Sequence, residues 1–144
     1  MRGVRQGCVL SPDLFSLYTE MIMRYIKDLD GIRTGRVNRN NSRYANDTTL
    51  IADSEQKLQQ FFDVVVEESE RKGLDINKKK SGLTVFSKKE NKPTYNTKVK
   101  SEVLEQADHF IYLGSMVTSD GRCDIEIKRR LELRKLPTNS WNVF

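Results

Sequence analysis

The sequence predicts a mixed α+β fold, with helices packed on an antiparallel sheet made of hairpins. Two amphipathic helical segments and several short β-prone runs between turn residues support this class. The length of 144 residues is that of one domain, and no internal repeat is present. Because apolar residues make up only 37% of the chain, we expect a thin hydrophobic core.

The first helix is predicted to follow Ser11-Pro12, with Ser11 as the N-cap and Pro12 at the first helical position. Its apolar residues recur every three or four positions and predict one buried face. These residues are Leu14, Tyr18, Met21, Ile22, Tyr25, Ile26 and Leu29. Gly31 is expected to end the helix.

A second helix is predicted to start at Asp53 or Ser54 and to continue to Lys72. Its inward face is expected to contain Leu58, Phe61, Phe62 and Val65. Gly73 is predicted to stop the helix by adopting a left-handed conformation.

Extended segments are predicted between the two helices, at residues 32–37 and 43–52. Residues 38–41 (NRNN) have turn chemistry and are expected to separate them. Inside the second segment, Asn46 and Asp47 are suited to a tight two-residue hairpin turn. The sequence therefore predicts a carboxamide and a carboxylate at a hairpin tip.

The C-terminal half is predicted to contain short strands at residues 83–87 and 109–113, with a turn near Ser101 and Glu102 between them. A last helix is expected over residues 124–136, ended by Pro137.

Several classes of protein are excluded by composition. No run of 18 or more apolar residues occurs and the N-terminus has no long apolar segment, so we expect neither a membrane span nor a secretory signal. The expected location is intracellular, in the nucleus or the cytoplasm. Two distant cysteines, Cys8 and Cys123, and a single histidine, His109, argue against a disulfide scaffold or a zinc ribbon.

The net charge of +5 is unevenly distributed. Residues 71–100 contain ten Lys and Arg side chains against two acidic ones. Such a segment can contact nucleic-acid phosphates, but a lysine-rich stretch is also typical of a solvated face. Composition leaves both interpretations open.

Four sequence blocks follow one another along the chain. They are RQGCVLSP at residues 5–12, RYANDTTLIADS at 43–54, GLDINKKKS at 73–81 and FIYLGS at 110–115. Together they resemble the C-terminal part of the reverse-transcriptase domain of non-LTR (LINE-type, RTE-like) retrotransposons, over about residues 3–133. The resemblance implies a partial polymerase palm over residues 1–136, with fingers and thumb missing, and a divergent tail over 137–144.

The resemblance also implies roles for individual residues. Gln6 and Gly7 match the pair that lies beside the incoming nucleotide and template, and Lys80 matches a lysine near the departing pyrophosphate. Tyr112, Leu113 and Gly114 match the hairpin that holds the primer end. The implied partners are an RNA template and a DNA primer.

One position departs from the family pattern. Asn46 occupies the place of the first of two adjacent aspartates, whereas Asp47 retains the second. In the family these carboxylates hold Mg²⁺, and two-metal phosphoryl transfer needs anionic oxygens that bridge the ions. An asparagine offers one neutral carbonyl oxygen, and the family's other metal-binding aspartate lies upstream of the matched blocks. Asp47 alone is therefore expected to bind the metal weakly at best.

The predicted function is that of a segment of an RNA-directed DNA polymerase that is inactive as this chain. The alternative is a non-catalytic, basic nucleic-acid-binding module derived from it, and a third interpretation is an enzyme completed by a second chain. Without a neighbouring strand, the hairpin of Asn46 and Asp47 would expose a sheet edge, which predicts marginal stability or self-association.

Overall fold

A computed structural model describes residues 7–88 and 91–135. The described residues form three α-helices and eight short strands, which confirms the mixed α+β class. The helices are α1 Ser11–Met23, α2 Glu55–Arg71 and α3 Asp124–Lys135. The strands are β1 Ile32–Thr34, β2 Val37–Arg39, β3 Asn41–Tyr44, β4 Asp47–Leu50, β5 Lys98–Val99, β6 Glu102–Val103, β7 His109–Tyr112 and β8 Ser115–Thr118.

The described strands form four separate antiparallel hairpins, β1-β2, β3-β4, β5-β6 and β7-β8. The chain divides into two compact units. The first unit comprises Met1–Ser81 and Tyr95–Leu104, and the second comprises Gly82–Thr94 and Glu105–Phe144.

Helix α1 begins one residue earlier than predicted. Leu10 is its N-cap, Ser11 is already helical, and the Leu10 side chain makes no capping hydrogen bond. The α-helix continues as a 3₁₀ turn, Arg24–Ile26, so the helical backbone ends well before Gly31. Pro12 still lies in the first turn, where its missing N–H costs no hydrogen bond.

Only part of the predicted apolar face of α1 is buried. Ile22, Met23 and Ile26 form the core of the first unit with Val65 of α2. In contrast, the large apolar side chains farther around and along the helix are exposed: Leu14, Leu17, Tyr18, Met21 and Tyr25. The prediction of one continuous buried stripe was wrong because α1 carries two apolar faces, and α2 covers the face that contains Ile22 and Ile26.

Helix α2 confirms the sequence prediction closely. The Ser54 hydroxyl accepts a hydrogen bond from the Lys57 N–H, and Gly73 follows the helix with φ +74. Phe61 and Val65 are buried, whereas Leu58 and Phe62 are half-buried. The N-cap and the stop are local signals, which explains why they could be predicted.

The region between α1 and β3 differs from the prediction. Its hairpin turn lies at Gly35 and Arg36, with Gly35 at φ +63, and not at residues 38–41. Asn38 belongs to strand β2, and its side chain donates to the Leu29 carbonyl and accepts from the Gly31 N–H, both at 2.9 Å. The asparagines that suggested a turn therefore bind the backbone that follows α1.

The hairpin β5-β6 turns at Lys100 and Ser101, one residue before the predicted position. No strand forms over residues 83–87, where Leu83 makes one parallel bridge to Gln106. The predicted strand at 109–113 is present as β7 and ends at Tyr112. The predicted last helix is present as α3, but Pro137 and the divergent tail lie outside the described residues.

Within the described part of the chain, no helix combines the length and apolar character needed to cross a bilayer.

Candidate functional site

The hairpin β3-β4 carries the two residues that were predicted to mark the site. Tyr44 pairs with Asp47, and Ala45 and Asn46 form the turn, with Ala45 at φ +51. The prediction that Asn46 and Asp47 are the two turn residues was therefore wrong by one position. Asn46 lies at the tip, whereas Asp47 is the first residue of β4, and both are exposed.

Contacts at the base of the hairpin fix this register. Leu50 packs against the core of the first unit, and the Ile51 N–H donates to the Asn40 carbonyl at 2.8 Å. With Asn41 opposite Leu50, the tip falls on Ala45 and Asn46. A shift by one residue would move Leu50 away from the core, which opposes the predicted turn.

An ion pair joins the hairpin to α1. The Arg43 guanidinium donates to the Glu20 carboxylate, and this hydrogen bond lowers the pKa of Glu20 below its ordinary value. Arg24 lies 3.7 Å from the same carboxylate and lowers its pKa further. Because Arg43 directly precedes Tyr44, this contact positions the strand that leads to the tip.

The donor set at the hairpin does not fit a two-metal centre. Asp47 supplies the single carboxylate, and Asn46 supplies a neutral amide oxygen. Across residues 7–88 and 91–135, no group of three or more His, Cys, Asp or Glu side chains converges on a point where a metal ion could bind. Two-metal phosphoryl transfer needs anionic oxygens that bridge the ions, and Asp47 is the one acidic residue among residues 41–50 of this hairpin.

Lys80 lies in the short 3₁₀ turn Lys78–Lys80, in the same unit as the hairpin. Its backbone N–H donates to the Asn77 carbonyl at 3.0 Å, and its side chain is exposed. Lys78 instead pairs with Glu102 at 2.7 Å. Lys80 therefore differs from Lys78 in having no acidic partner within the described residues.

Of the predicted nucleotide-binding pair, Gln6 lies outside the described residues. Gly7 is exposed and has φ +85, a left-handed conformation that favours glycine. Apart from its neighbours in the chain, no described residue has an atom within 4 Å of the position that a Cβ atom would take at Gly7, so the preference for glycine there is conformational.

Tyr112, Leu113 and Gly114 lie at the end of the hairpin β7-β8, in the second unit. Leu113 and Gly114 form the turn with φ +50 and +77, which is the pattern of a type I′ turn. Leu113 is about half exposed, and the Tyr112 ring lies 6.5 Å from that of Phe110.

Helix α3 holds this hairpin through Glu126, for which no role was predicted from the sequence. The Glu126 carboxylate accepts from the Met116 N–H at 2.9 Å and from Arg129 at 2.8 Å. Hydrogen bonds from Arg129, then Arg130, then Met116 lower the pKa of Glu126 from 4.5 to about 2. Arg129 also donates to the Gly114 carbonyl at 2.6 Å, which fixes the turn itself.

The basic segment at residues 71–100 is partly neutralised. Four of its cations pair with carboxylates, at distances of 2.6 to 3.3 Å: Arg71 with Glu67 and Glu68, Lys78 with Glu102, Lys92 with Asp108, and Lys100 with Glu70 and Asp75. These contacts raise the pKa of Lys100, chiefly through Glu70, and lower that of Asp108, chiefly through Lys92. The excess charge of this segment is thus smaller at its surface than its sequence suggests.

Comparison with known proteins identifies the class. Residues 1–117 match the family model described as reverse transcriptase (RNA-dependent DNA polymerase). The chain therefore belongs to the reverse-transcriptase family.

Two curated relatives indicate the type of reverse transcriptase. The chain is 30% identical over 130 residues to the retrovirus-related Pol polyprotein from type-2 retrotransposable element R2DM of Drosophila melanogaster, covering 84% of this chain and 12% of that protein. It is 27% identical over 144 residues to the Pol polyprotein from type-1 retrotransposable element R2 of Nasonia vitripennis, covering 94% of this chain and 14% of that protein. No solved structure gives a significant match.

The family match and these relatives show that the chain is a reverse-transcriptase domain of the non-LTR retrotransposon type. This confirms the resemblance that the four sequence blocks indicated. The matches are to R2 elements, close to the RTE-like type that the blocks suggested. The chain spans about an eighth of the length of these relatives.

Proposed function

We propose that this chain is a palm segment of an RNA-directed DNA polymerase that contacts template and primer but does not catalyse nucleotide addition by itself. One observation carries the second half of the proposal. The hairpin tip presents Asn46 and Asp47 where the family pattern has two aspartates, so a single carboxylate faces solvent there.

The absence of the second carboxylate matters because of charge. Two divalent cations near a triphosphate are held by bridging anionic oxygens, and a neutral amide oxygen neither bridges them nor compensates their charge. We expect Asp47 to bind one cation weakly, so this donor set does not support two-metal catalysis.

The remaining predicted residues keep non-catalytic roles in this proposal. Gln6 and Gly7 contact the template and nucleotide, and Lys80 supplies a positive charge near phosphate. The exposure of Gly7 and Lys80, and the lack of an acidic partner for Lys80 in the described structure, support these roles. Leu113 and Gly114 form a turn that Arg129 fixes, which suits a surface that holds a primer end.

Primer extension tests the catalytic part of the proposal. The purified 144-residue chain is incubated with an RNA template, a DNA primer, nucleotides and Mg²⁺ or Mn²⁺, beside the variant Asp47→Asn. We expect no incorporation by either protein. Incorporation by the native chain that Asp47→Asn abolishes would overturn the proposal.

Mn²⁺ binding tests whether Asn46, in place of an aspartate, is the cause of weak metal binding at this hairpin. Paramagnetic broadening of the amide signals of residues 44–50 by Mn²⁺ should be weak in the native chain and in Asp47→Asn. In Asn46→Asp, the added adjacent carboxylate should strengthen Mn²⁺ binding by about tenfold or more. Equal broadening in the native chain and Asn46→Asp, with both spectra well dispersed, would show that Asn46 is not the cause.

The ion pairs of residues 71–100 do not favour the alternative of a binding module built on that segment. Lys78, Lys92 and Lys100 each contact a carboxylate within 3.3 Å, so fewer lysines remain to displace counterions from phosphate.

A further inference from the structure

The hairpin β1-β2 forms an exposed arm, here called the basic arm and defined as residues 32–39. Every residue of the basic arm is exposed. It reads IRTGRVNR, with three arginines and no acidic residue, and it lies outside the segment in which the sequence concentrates its lysines.

The arginines of the basic arm are largely uncompensated. Arg33 lies 3.3 Å from Asp30, but the two side chains are 74% and 63% exposed, so this pair is screened by water. In the described part of the chain, no carboxylate lies within 4 Å of Arg36 or Arg39. In contrast, Lys78, Lys92 and Lys100 are themselves only 25–39% exposed and each lies within 3 Å of a carboxylate.

The register of the hairpin distributes the positive charge around the arm. Arg39 pairs with Ile32, and Arg33 pairs with Asn38. Since adjacent residues of a strand point to opposite faces, Arg33 and Arg39 lie on different faces, and Arg36 lies in the turn at the tip. A surface with guanidinium groups on two faces and at its end suits a groove bordered by anions on both sides.

The base of the basic arm is held by hydrogen bonds and by close packing. The Asn40 side chain is 6% exposed and donates to the Leu29 carbonyl at 3.0 Å, and the Asn38 amide contacts the same carbonyl at 2.9 Å. Gly31 packs directly against the backbone of Arg39 and Asn40. The arm is thus held in a fixed direction, which lowers the ordering cost of binding.

We propose that the basic arm binds the phosphate backbone of an RNA–DNA hybrid duplex. This inference rests on the proposed function, because the hybrid is the nucleic acid that an RNA-dependent DNA polymerase produces. Guanidinium groups bind phosphate through paired, charge-assisted hydrogen bonds. An RNA–DNA hybrid has A-form geometry, with a wide, shallow minor groove between its two phosphate backbones, and a two-stranded ribbon can lie across that groove.

Replacement of all three arginines tests the proposal. The variant Arg33→Gln/Arg36→Gln/Arg39→Gln is compared with Lys79→Gln/Lys98→Gln/Lys128→Gln, which removes the same charge from exposed positions elsewhere. Affinity for a fluorescently labelled RNA–DNA hybrid is measured between 50 and 200 mM salt. The slope of log affinity against log salt should become shallower by about 2 to 3 in the arginine variant, because each lost phosphate contact removes about 0.9.

The control variant should keep most of the native slope. An equal loss in both triple variants would show that net charge alone drives binding and would overturn the proposal. Tighter binding of duplex DNA than of the hybrid, or equal competition by polyglutamate, would overturn the choice of partner.

A single-residue variant separates a loss of phosphate contact from a loss of folding. The single variant Arg36→Gln should shift the slope by about 1, and because its side chain is exposed, its amide spectrum should match that of the native chain. Native-like binding and salt dependence in the triple arginine variant would overturn this inference alone. Failure of the native chain to bind the hybrid would overturn the inference together with the proposed contact with template and primer, but not the proposed lack of catalysis.

Discussion

Gly31 lies so close to Arg39 that a Cβ atom at Gly31 would stand 2.4 Å from the Arg39 carbonyl oxygen. The same Cβ would lie 2.6 Å from the Cα of Asn40. These neighbours are backbone atoms, which cannot rotate away as the end of a side chain can. This junction joins the chain after α1 to both N-terminal hairpins, so its packing determines where the basic arm and the strand β3 begin.

Gly31→Ala should destabilise the protein by about 1–3 kcal/mol, the usual cost of forcing an extra group into a packed site. Urea unfolding measures this change. The control is Gly82→Ala, where the added Cβ would lie 3.6 Å from the Glu105 carbonyl oxygen, an ordinary contact distance. Equal stability of the two variants would contradict the close approach at Gly31.

Leu113→Asn should stabilise the hairpin β7-β8 by about 0.5–1 kcal/mol. Leu113 adopts φ +50, which is unfavourable for leucine, and Asn-Gly is the preferred pair for a type I′ turn. Thermal unfolding measures the gain, and Ile111→Thr at an exposed position of β7 should show none.

The same variant probes the proposed primer contact. If the Leu113 side chain touches the primer, the hybrid should bind more weakly to Leu113→Asn although the protein is more stable. Increased stability with unchanged affinity would remove Leu113 from the proposed contact surface.

Glu126 should make stability depend on pH below about 4.5. Its pKa is lowered from 4.5 to about 2 in the folded chain, so its stabilising contribution is complete above 4.5 and is lost as the pH falls towards 2. Glu126→Gln should therefore lower the melting temperature at pH 6, and the difference from the native chain should shrink at pH 3.

Protection of the Met116 amide from hydrogen exchange gives a local measurement of the same contact, since that N–H donates to Glu126. Glu132→Gln, an exposed position on α3, is the matched control. A constant difference between Glu126→Gln and the native chain from pH 6 to pH 3 would argue against the Glu126 contacts.

The hairpin β3-β4 should promote self-association. Each of its two strands has one neighbour among the described strands, which leaves an unpaired edge on both sides. Sedimentation velocity at increasing concentration should show oligomers of the native chain. Thr48→Lys, which adds a charge at an exposed position of β4, should shift the distribution towards monomer. A native chain that remains monomeric at every concentration would refute this prediction.

Much of the local structure was predictable from the sequence. The Ser54 cap, the apolar spacing of α2 and the stop at Gly73 are signals carried by residues close in the chain. The four family blocks could also be recognised from the sequence, because the reverse-transcriptase pattern is defined by the order of residue types along the chain and not by packing. Asn46 could be identified as a departure from that pattern for the same reason.

Several features of the site were not predictable from the sequence. Asn38 and Asn40 are residue types typical of turns, but their side-chain amides donate to the backbone that follows α1. The hairpin turn therefore lies at Gly35 and Arg36 and not at the predicted residues 38–41. The role of Glu126 depends on the Met116 N–H, which lies on a different element.

The fold class, the family and the residue types at positions 46 and 47 could be predicted from the sequence, since each depends on residue type and on neighbours along the chain. The folded chain was needed to show the register that puts Asn46 in the turn and Asp47 in the strand, the buried face of α1 and the exposure of the basic arm. These features depend on contacts between distant segments, such as Leu50 with the core and Ile51 with Asn40, whose energies no local pattern contains.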